Sequence, residues 1–350
     1  MTFYKSVNDL HIEPTRKCNA RCPMCPRHLG SSPNKGPWVN EIDIDINLLT
    51  PVVEKLSLTS ISINGNYGDI VMHKNPKKLI ELCSNNAQKV TIHTNGGAQP
   101  KSFWKSLGKF KNLLVIFAID GLSDTHSLYR RNTRFDIVLE NAKTYIEAGG
   151  TAMWDMLIFK HNEHQVTECK ELATALGFKI FQAKPNSRFG FSKYPVHDKN
   201  FNTEYYIESI NQVTDRKDVH PRSFPTTKQE YQKFIKSKKQ VKKKIENPCI
   251  DCRVIEKQSI FISADNRVWP CCWLAQMANK AEKSYAISDF IKHFGETNTI
   301  DNFDTIVGQF DFIKDTWDTN PFYECSTNCN SNEISPTVIT SIESSKFSLD

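Results

Sequence analysis

The sequence predicts an α/β fold of parallel strands alternating with helices, and three observations carry that expectation. Over about residues 8–190 apolar β-branched runs recur, amphipathic stretches at helical spacing separate them, and glycines or capping residues punctuate the joins. The strands read as 10–12, 60–63, 90–93, 114–119, 154–159 and 178–183, which makes six βα units. A helix is expected over 134–148, where Ile137, Val138, Ala142, Tyr145 and Ile146 keep helical spacing and Gly149-Gly150 stops it. Another begins near Asn162, a residue able to cap it, and ends at Gly177. Six such units fit an open doubly wound sheet or an incomplete barrel equally well. Both place chemistry at the C-terminal ends of the strands.

A chain of 350 residues with 39% hydrophobic and 24% charged residues has enough material for one large domain and a smaller one. The division read from the sequence is 1–190 for the βα units, 191–247 for a basic linker, 248–335 for a second cysteine-bearing module and 336–350 for a polar tail. In the linker, Lys228, Lys233, Lys236, Lys238, Lys239, Lys242, Lys243 and Lys244 face only Glu230. That run reads first as a solvated helix face, with contact to an acidic substrate as the alternative. A net charge of +6 does not demand nucleic acid. Residues 1–5 lead into charged residues and no apolar run reaches membrane-spanning length, so the expected location is cytoplasmic. Eleven cysteines, an odd number without a secretory leader, point to metal or cluster ligation rather than to disulfides.

Cys18, Cys22 and Cys25 fall in one short loop directly after the first strand. Three thiolates can hold three irons of a [4Fe–4S] cluster and leave the fourth open to a small molecule. Zinc is the competing reading, but it usually takes four ligands, and His28 is the one further candidate nearby.

The spacing C-x3-C-x2-C after the first strand resembles the radical S-adenosylmethionine (SAM) superfamily, and further motifs follow in that family's order. Asn64-Gly65-Asn66-Tyr67-Gly68-Asp69 follows strand two, and its Tyr67-Gly68-Asp69 is similar to the Gly-Gly-Glu segment that meets the SAM amino group. Thr94-Asn95-Gly96-Gly97 follows strand three, and Asp120-Gly121 with Asp124, His126, Arg130 and Arg131 follows strand four. The resemblance implies a partial (β/α)6 TIM-like barrel with a [4Fe–4S] cluster on Cys18, Cys22 and Cys25. It also implies SAM contacts from Tyr67, Gly68, Asp69, Thr94, Asn95, Asp120, Arg130 and Arg131. Two positions depart from the family pattern: Met24 stands where an aromatic is usual, and Asp69 where Glu is common.

In the C-terminal module, Cys252 is followed by thirteen residues, Asn266, four residues and Cys271, with Cys325 and Cys329 later. Residues 259–262 and 267–269 read as two strands around a turn at Ala264-Asp265-Asn266. This resembles the SPASM and Twitch extensions of radical SAM enzymes, with Asn266 at a glycine position; Asn tolerates the left-handed turn conformation. The resemblance implies a cysteine-rich β-hairpin and helix domain holding one auxiliary [4Fe–4S] cluster on Cys252, Cys271, Cys325 and Cys329. Cys249 and Cys272 remain alternative ligands, part of a second cluster, or inert neighbours. Cys83 and Cys169 read as core thiols of helices, and His93 as a satisfied strand residue.

What the resemblance implies is an oxidoreductase that cleaves SAM reductively to a 5′-deoxyadenosyl radical and abstracts a substrate hydrogen. Flavodoxin or ferredoxin would serve as reductant. A peptide or protein is the expected substrate, read by the loop 30–40 and the basic segment; a small alcohol or sugar-like metabolite is the alternative, and an RNA a weaker one. No residue beyond the cluster ligands is assigned to catalysis. From a different class, a zinc-stabilised nucleic-acid-binding protein on an α/β scaffold competes with the enzyme.

Overall fold

The computed structural model describes residues 6–186, 193–210, 249–279, 298–319, 321–322, 325–326, 329 and 340–341. The lysine run 228–244 and nearly all of the tail lie outside the described residues. Six parallel strands form the centre: β1 (Asp9–Ile12), β2 (Leu58–Ile63), β3 (Ala87–Thr94), β4 (Leu113–Ala118), β5 (Thr151–Ile158) and β6 (Ile180–Pro185). Helices α1 (Ile46–Lys55), α2 (Pro76–Asn86), α3 (Lys101–Leu107), α4 (His126–Tyr129), α5 (Phe135–Glu147) and α6 (Val166–Ala175) fill the crossovers. This is the partial (β/α)6 barrel, an open sheet in sequential strand order.

Period-two alternation decides which face the helices cover. Leu10, Ile12, Ile61, Ile63, Val90, Ile92, Val115, Phe117, Trp154, Phe181 and Ala183 are buried beneath them. Each fully buried side chain of this size contributes about 1.5–3 kcal/mol, far more than strand propensity. The opposite face carries His11, Ser62, Thr91, His93, Asp155, Gln182 and Lys184, all half-buried. There Lys184 Nζ reaches Asp155 Oδ1 at 2.9 Å, and burial pushes the His93 imidazole down to about 4.

Several local expectations are met and two are corrected. Gly149 has φ +90°, and Gly150 N–H donates to the Tyr145 carbonyl at 3.0 Å, ending α5 as its sequence requires. Cys83 and Cys169 are fully buried in α2 and α6. Ile137, however, is 39% exposed on the outer face of α5, whose buried stripe is Val138, Asn141, Ala142 and Tyr145. Asn162 does not cap the following helix with its side chain. That amide accepts from Phe159 N–H at 2.7 Å and donates to the Leu157 and Asp120 carbonyls, so it staples β5 to the loop after β4.

Beyond residue 191, where the sequence reads as a linker, lies an antiparallel hairpin of β7 (Lys193–His197) and β8 (Thr203–Glu208). The C-terminal module contains α7 (Arg253–Glu256), β9 (Ser259–Ile262), β10 (Val268–Trp269), α8 (Cys272–Asn279) and α9 (Phe303–Gly308). The expected β9–β10 hairpin is present, and Asn266 adopts φ +58° in its turn. It is not a detached lobe: β9 pairs in parallel with β1, so the hairpin extends the barrel sheet past its first strand. At the far edge β11 (Thr340–Ser341) pairs antiparallel with β6. No helix among the described residues is long and apolar enough to cross a membrane.

Candidate functional site

The loop leaving β1 folds back on itself at the C-terminal ends of the strands. Cys25 N–H donates to the Cys22 carbonyl at 3.0 Å, and His28 N–H donates to that of Cys25 at 3.1 Å, which winds residues 22–28 into successive turns beside Cys18. Cys18 lies within electrostatic reach of Cys22, Cys25 and Asp69. Burial pushes the Cys18 thiol well up, and pushes Cys22 up to about 11 against the opposing pull of Arg130. Two N–H groups aim at these sulfurs: Asn95 Nδ2 lies 3.8 Å from Cys18 Sγ, and Arg130 Nη1 lies 3.9 Å from Cys22 Sγ. His28 does not turn to the thiols with Nδ1; that nitrogen donates to the Cys22 carbonyl at 3.0 Å and braces the loop.

Each motif that follows a strand has a defined place around this turn. Gly68 packs so tightly that a Cβ there would sit 2.0 Å from the Thr15 carbonyl oxygen, and Asp69 N–H donates to the Lys17 carbonyl at 2.9 Å. The Asp69 carboxylate accepts from Thr94 Oγ1 and Asn95 N–H at 2.7 Å, Asn95 Nδ2 at 2.8 Å and Val71 N–H at 3.2 Å. Its two oxygens are thereby committed to holding the 94–95 turn. The turn in turn presents Asn95, whose amide also reaches Asn19 Oδ1 at 2.9 Å.

Asp120 is fully buried and accepts from Leu157 N–H at 2.7 Å and Arg130 Nε at 2.6 Å. Arg130 therefore stands between that carboxylate and Cys22. Its neighbour Arg131 points elsewhere, pairing with Glu204 of β8 at 2.6 Å and donating to the His197 carbonyl at 3.1 Å. His126 is buried, accepts from Asp120 N–H at 3.3 Å and bonds Thr133 Oγ1 at 3.0 Å; burial brings it down to about 3. Asp124 is exposed and accepts from Gln165 Nε2 at 2.8 Å.

Sequence reasoning missed the hairpin β7–β8 as part of the site. Val196 and Ile207 pack with Ala20, Cys22, Met24, Tyr129 and Phe159 in one apolar cluster over the cysteine turn. Met24, the departure from the family pattern, is buried there, its sulfur 3.2 Å from Asn186 Nδ2. The loop 30–40 is tied to the same hairpin, with Ser31 Oγ 2.6 Å from His197 Nδ1 and Asn34 Nδ2 donating to the Lys199 carbonyl at 2.8 Å. Arg27 was also missed: its Nη1 donates to the carbonyls of Arg16 and Tyr67 at 2.6 and 2.8 Å, stapling the cysteine loop to the segment after β2. A basic residue two positions past the third cysteine is a signal for such a staple only after the fold is known.

In the C-terminal module the structure gathers cysteines that are far apart in sequence. Cys329 is within hydrogen-bond reach of Cys252, an interaction that brings the Cys252 thiol down to about 6 and pushes Cys329 up. Cys271 is within electrostatic reach of Cys252 and Cys325, and burial raises it strongly. Asp251 N–H donates to the Cys329 carbonyl at 2.7 Å, closing the two chain segments together. Cys249 is exposed. Cys272, the first residue of α8, is raised to about 11 by burial and lies within reach of Glu13 on the barrel side. Among the described residues no three Cys, His, Asp or Glu side chains form a site for a single metal ion.

The donor set fits the cluster that the sequence motifs imply. The turn offers three thiols, a guanidinium and an amide N–H aimed at sulfur, and an apolar collar, which together suit an iron–sulfur centre whose potential depends on hydrogen bonds and burial. Three thiols on one loop at the mouth of an α/β barrel form a set able to hold an iron–sulfur cluster. Residues 12–173 match the model of the Radical SAM superfamily and are a radical SAM domain.

The chain is 23% identical over 190 residues to the antilisterial bacteriocin subtilosin biosynthesis protein AlbA of Bacillus subtilis strain 168, which is 53% of this chain and 41% of that protein. It thus spans less than half the length of that curated relative. The fold is shared with Streptococcus suis SuiB bound to S-adenosylmethionine, at 14% identity and a TM-score of 0.50 over 90% of this chain and 66% of SuiB. SuiB bound to its precursor peptide SuiA gives the same identity and TM-score over 88% of this chain and 67% of that one.

Proposed function

We propose that the chain is a radical SAM enzyme that modifies a peptide or protein, with an auxiliary cluster in its C-terminal module. The observation that carries this reading is the turn of Cys18, Cys22 and Cys25, with protein N–H groups aimed at two of its sulfurs. When bound, the cluster supplies one electron that splits SAM into methionine and a 5′-deoxyadenosyl radical, which takes a hydrogen atom from the substrate.

The chain's own residues prepare that chemistry. Cys18, Cys22 and Cys25 would ligate three irons, and the raised thiols of Cys18 and Cys22 mean that loading releases protons. Arg130, held by Asp120, would place positive charge beside the cluster and the SAM carboxylate. Because the Asp69 carboxylate is occupied by protein donors, the SAM ammonium would be met by the main chain of Tyr67-Gly68-Asp69. Asn95, on the turn that Asp69 holds, would face the nucleoside side. The hairpin β7–β8 and Met24 cover the turn with apolar surface and exclude water from it.

Cys252, Cys271, Cys325 and Cys329 would hold the auxiliary cluster, leaving Cys272 and Cys249 outside it. A peptide substrate is supported by the relatives: AlbA is named for the biosynthesis of a bacteriocin, and SuiB was solved with a precursor peptide. The polar face with His93, Asp155 and Lys184 would meet the substrate side chain. In the direct test, anaerobically reconstituted, reduced protein given SAM releases 5′-deoxyadenosine, and Cys22→Ala abolishes that release.

A further inference from the structure

Between the segment after β2 and the C-terminal module runs a buried ionic seam used by neither set of cluster ligands. Glu13 is fully buried and Arg16 is 2% exposed. Glu13 Oε1 accepts from the backbone N–H groups of Asn66 at 3.0 Å and Tyr67 at 3.1 Å. Its Oε2 accepts from Arg16 Nε at 3.1 Å and from Ala264 N–H, in the β9–β10 turn, at 3.2 Å. Arg16 Nη2 continues to Asp265 Oδ1 at 2.9 Å.

Further bonds cross the same seam. Asn66 Nδ2 donates to the Cys272 carbonyl at 3.0 Å, Tyr67 OH to the Gln276 carbonyl at 2.9 Å, and Asp45 N–H to Asn266 Oδ1 at 2.8 Å. A buried carboxylate is tolerated only with its lone pairs filled, and here the donors come from three separate chain segments. Glu13 touches all three: the loop before Cys18, the segment 66–67, and the turn beside Asp265.

We propose that Glu13 is a positioning residue that locks Asn66-Tyr67-Gly68 onto the 264–266 turn, so that the C-terminal module completes the wall on which SAM is seated. The proposal rests on the SAM reading above. Its consequence is reciprocal: SAM binding and the order of the auxiliary cysteines are coupled through this seam, because Cys272, whose carbonyl Asn66 holds, adjoins Cys271. No contact of Glu13 with SAM or with a cluster is required.

The test uses the full reconstituted chain, with the SAM dissociation constant from equilibrium dialysis and the electron paramagnetic resonance (EPR) spectrum of the reduced SAM-side cluster. Glu13→Gln removes the charge and turns an amide N–H toward groups that are themselves donors. It should weaken SAM binding about tenfold, while iron per chain and the SAM-free spectrum stay as in the wild type. Cys271→Ala should weaken SAM binding in the wild-type background and have no further effect on top of Glu13→Gln. Glu13→Gln binding SAM as the wild type does, or additive effects of the two changes, would overturn the proposal. Should Glu13→Gln not fold, Asp265→Asn, a quarter exposed at the far end of the same seam, carries the test with the same expected loss. Wild-type protein that neither binds SAM nor changes its spectrum with SAM would instead overturn the SAM reading on which the proposal stands.

Discussion

The two cysteine sites are built in opposite ways. The N-terminal one takes its ligands from eight consecutive residues, 18–25, and owes its order to what surrounds it: Asn95 after β3, Arg130 after β4 and the hairpin β7–β8. The C-terminal one draws its candidate ligands from residues scattered between Cys252 and Cys329, with Asp251 N–H to the Cys329 carbonyl joining two of its segments. The first site is therefore a loop clamped onto a finished barrel, whereas the second, on the reading proposed above, would be completed by the cluster it holds. The difference teaches that losing a cofactor should cost the two regions unequally: stability in the second, reactivity in the first.

Iron content breaks or sharpens that contrast most strongly. Cys25→Ala and Cys271→Ala should each lower iron after reconstitution to about half, because each removes a ligand of one of two four-iron clusters. Only Cys271→Ala should also make the C-terminal module sensitive to proteolysis. Cys272→Ala should leave iron unchanged; if it instead halves the iron, Cys272 belongs in the auxiliary ligand set.

A smaller effect concerns the clamp. Arg130→Met leaves Asp120 buried without its guanidinium, a loss expected to cost about 3–5 kcal/mol of barrel stability, read from denaturant midpoints of the cofactor-free chain. A change below about 1 kcal/mol would mean that Leu157 N–H alone satisfies that carboxylate.

Smaller still is the pH response of His126. Its folded pKa is depressed to about 3, so the unfolded chain binds more protons at mildly acid pH, and stability is full above about 6.5 and falls as the pH drops. Between pH 6.5 and 5 the wild type should lose about 1.7 kcal/mol more than His126→Asn, the slope steepening toward about 1.4 kcal/mol per pH unit at the acid end. Equal slopes in urea titrations would contradict a neutral, buried His126.

Much of the architecture was legible because its signals are local. Each of the six strands appears within a few residues of its expected place, since β-branched runs between glycine stops leave little freedom. Asn266 was legible as a left-handed turn residue, and Cys83 and Cys169 as core. What escaped depends on tertiary partners. The hairpin at 193–208 hid in a stretch that reads as linker, where Pro195, Asp198 and Asn200 mask its strands. Arg130 and Arg131 are adjacent and chemically identical, and only the backbone at the end of α4 sends one to Cys22 and the other to Glu204. Asp69 offered a carboxylate for an ammonium, yet the main chain and Thr94 fill it first. Glu13 and Arg16 carried no pattern of their own, because the Ala264 and Asp265 that complete them lie some 250 residues away.

The most direct test of the central claim is the fate of SAM on the reduced, reconstituted wild-type chain, followed by chromatography under strict exclusion of oxygen. Formation of 5′-deoxyadenosine and methionine in equal amounts, lost in Cys22→Ala but retained in Cys272→Ala, is the expected result. Iron-loaded, reduced protein that leaves SAM intact, or product that persists in Cys22→Ala, would contradict it.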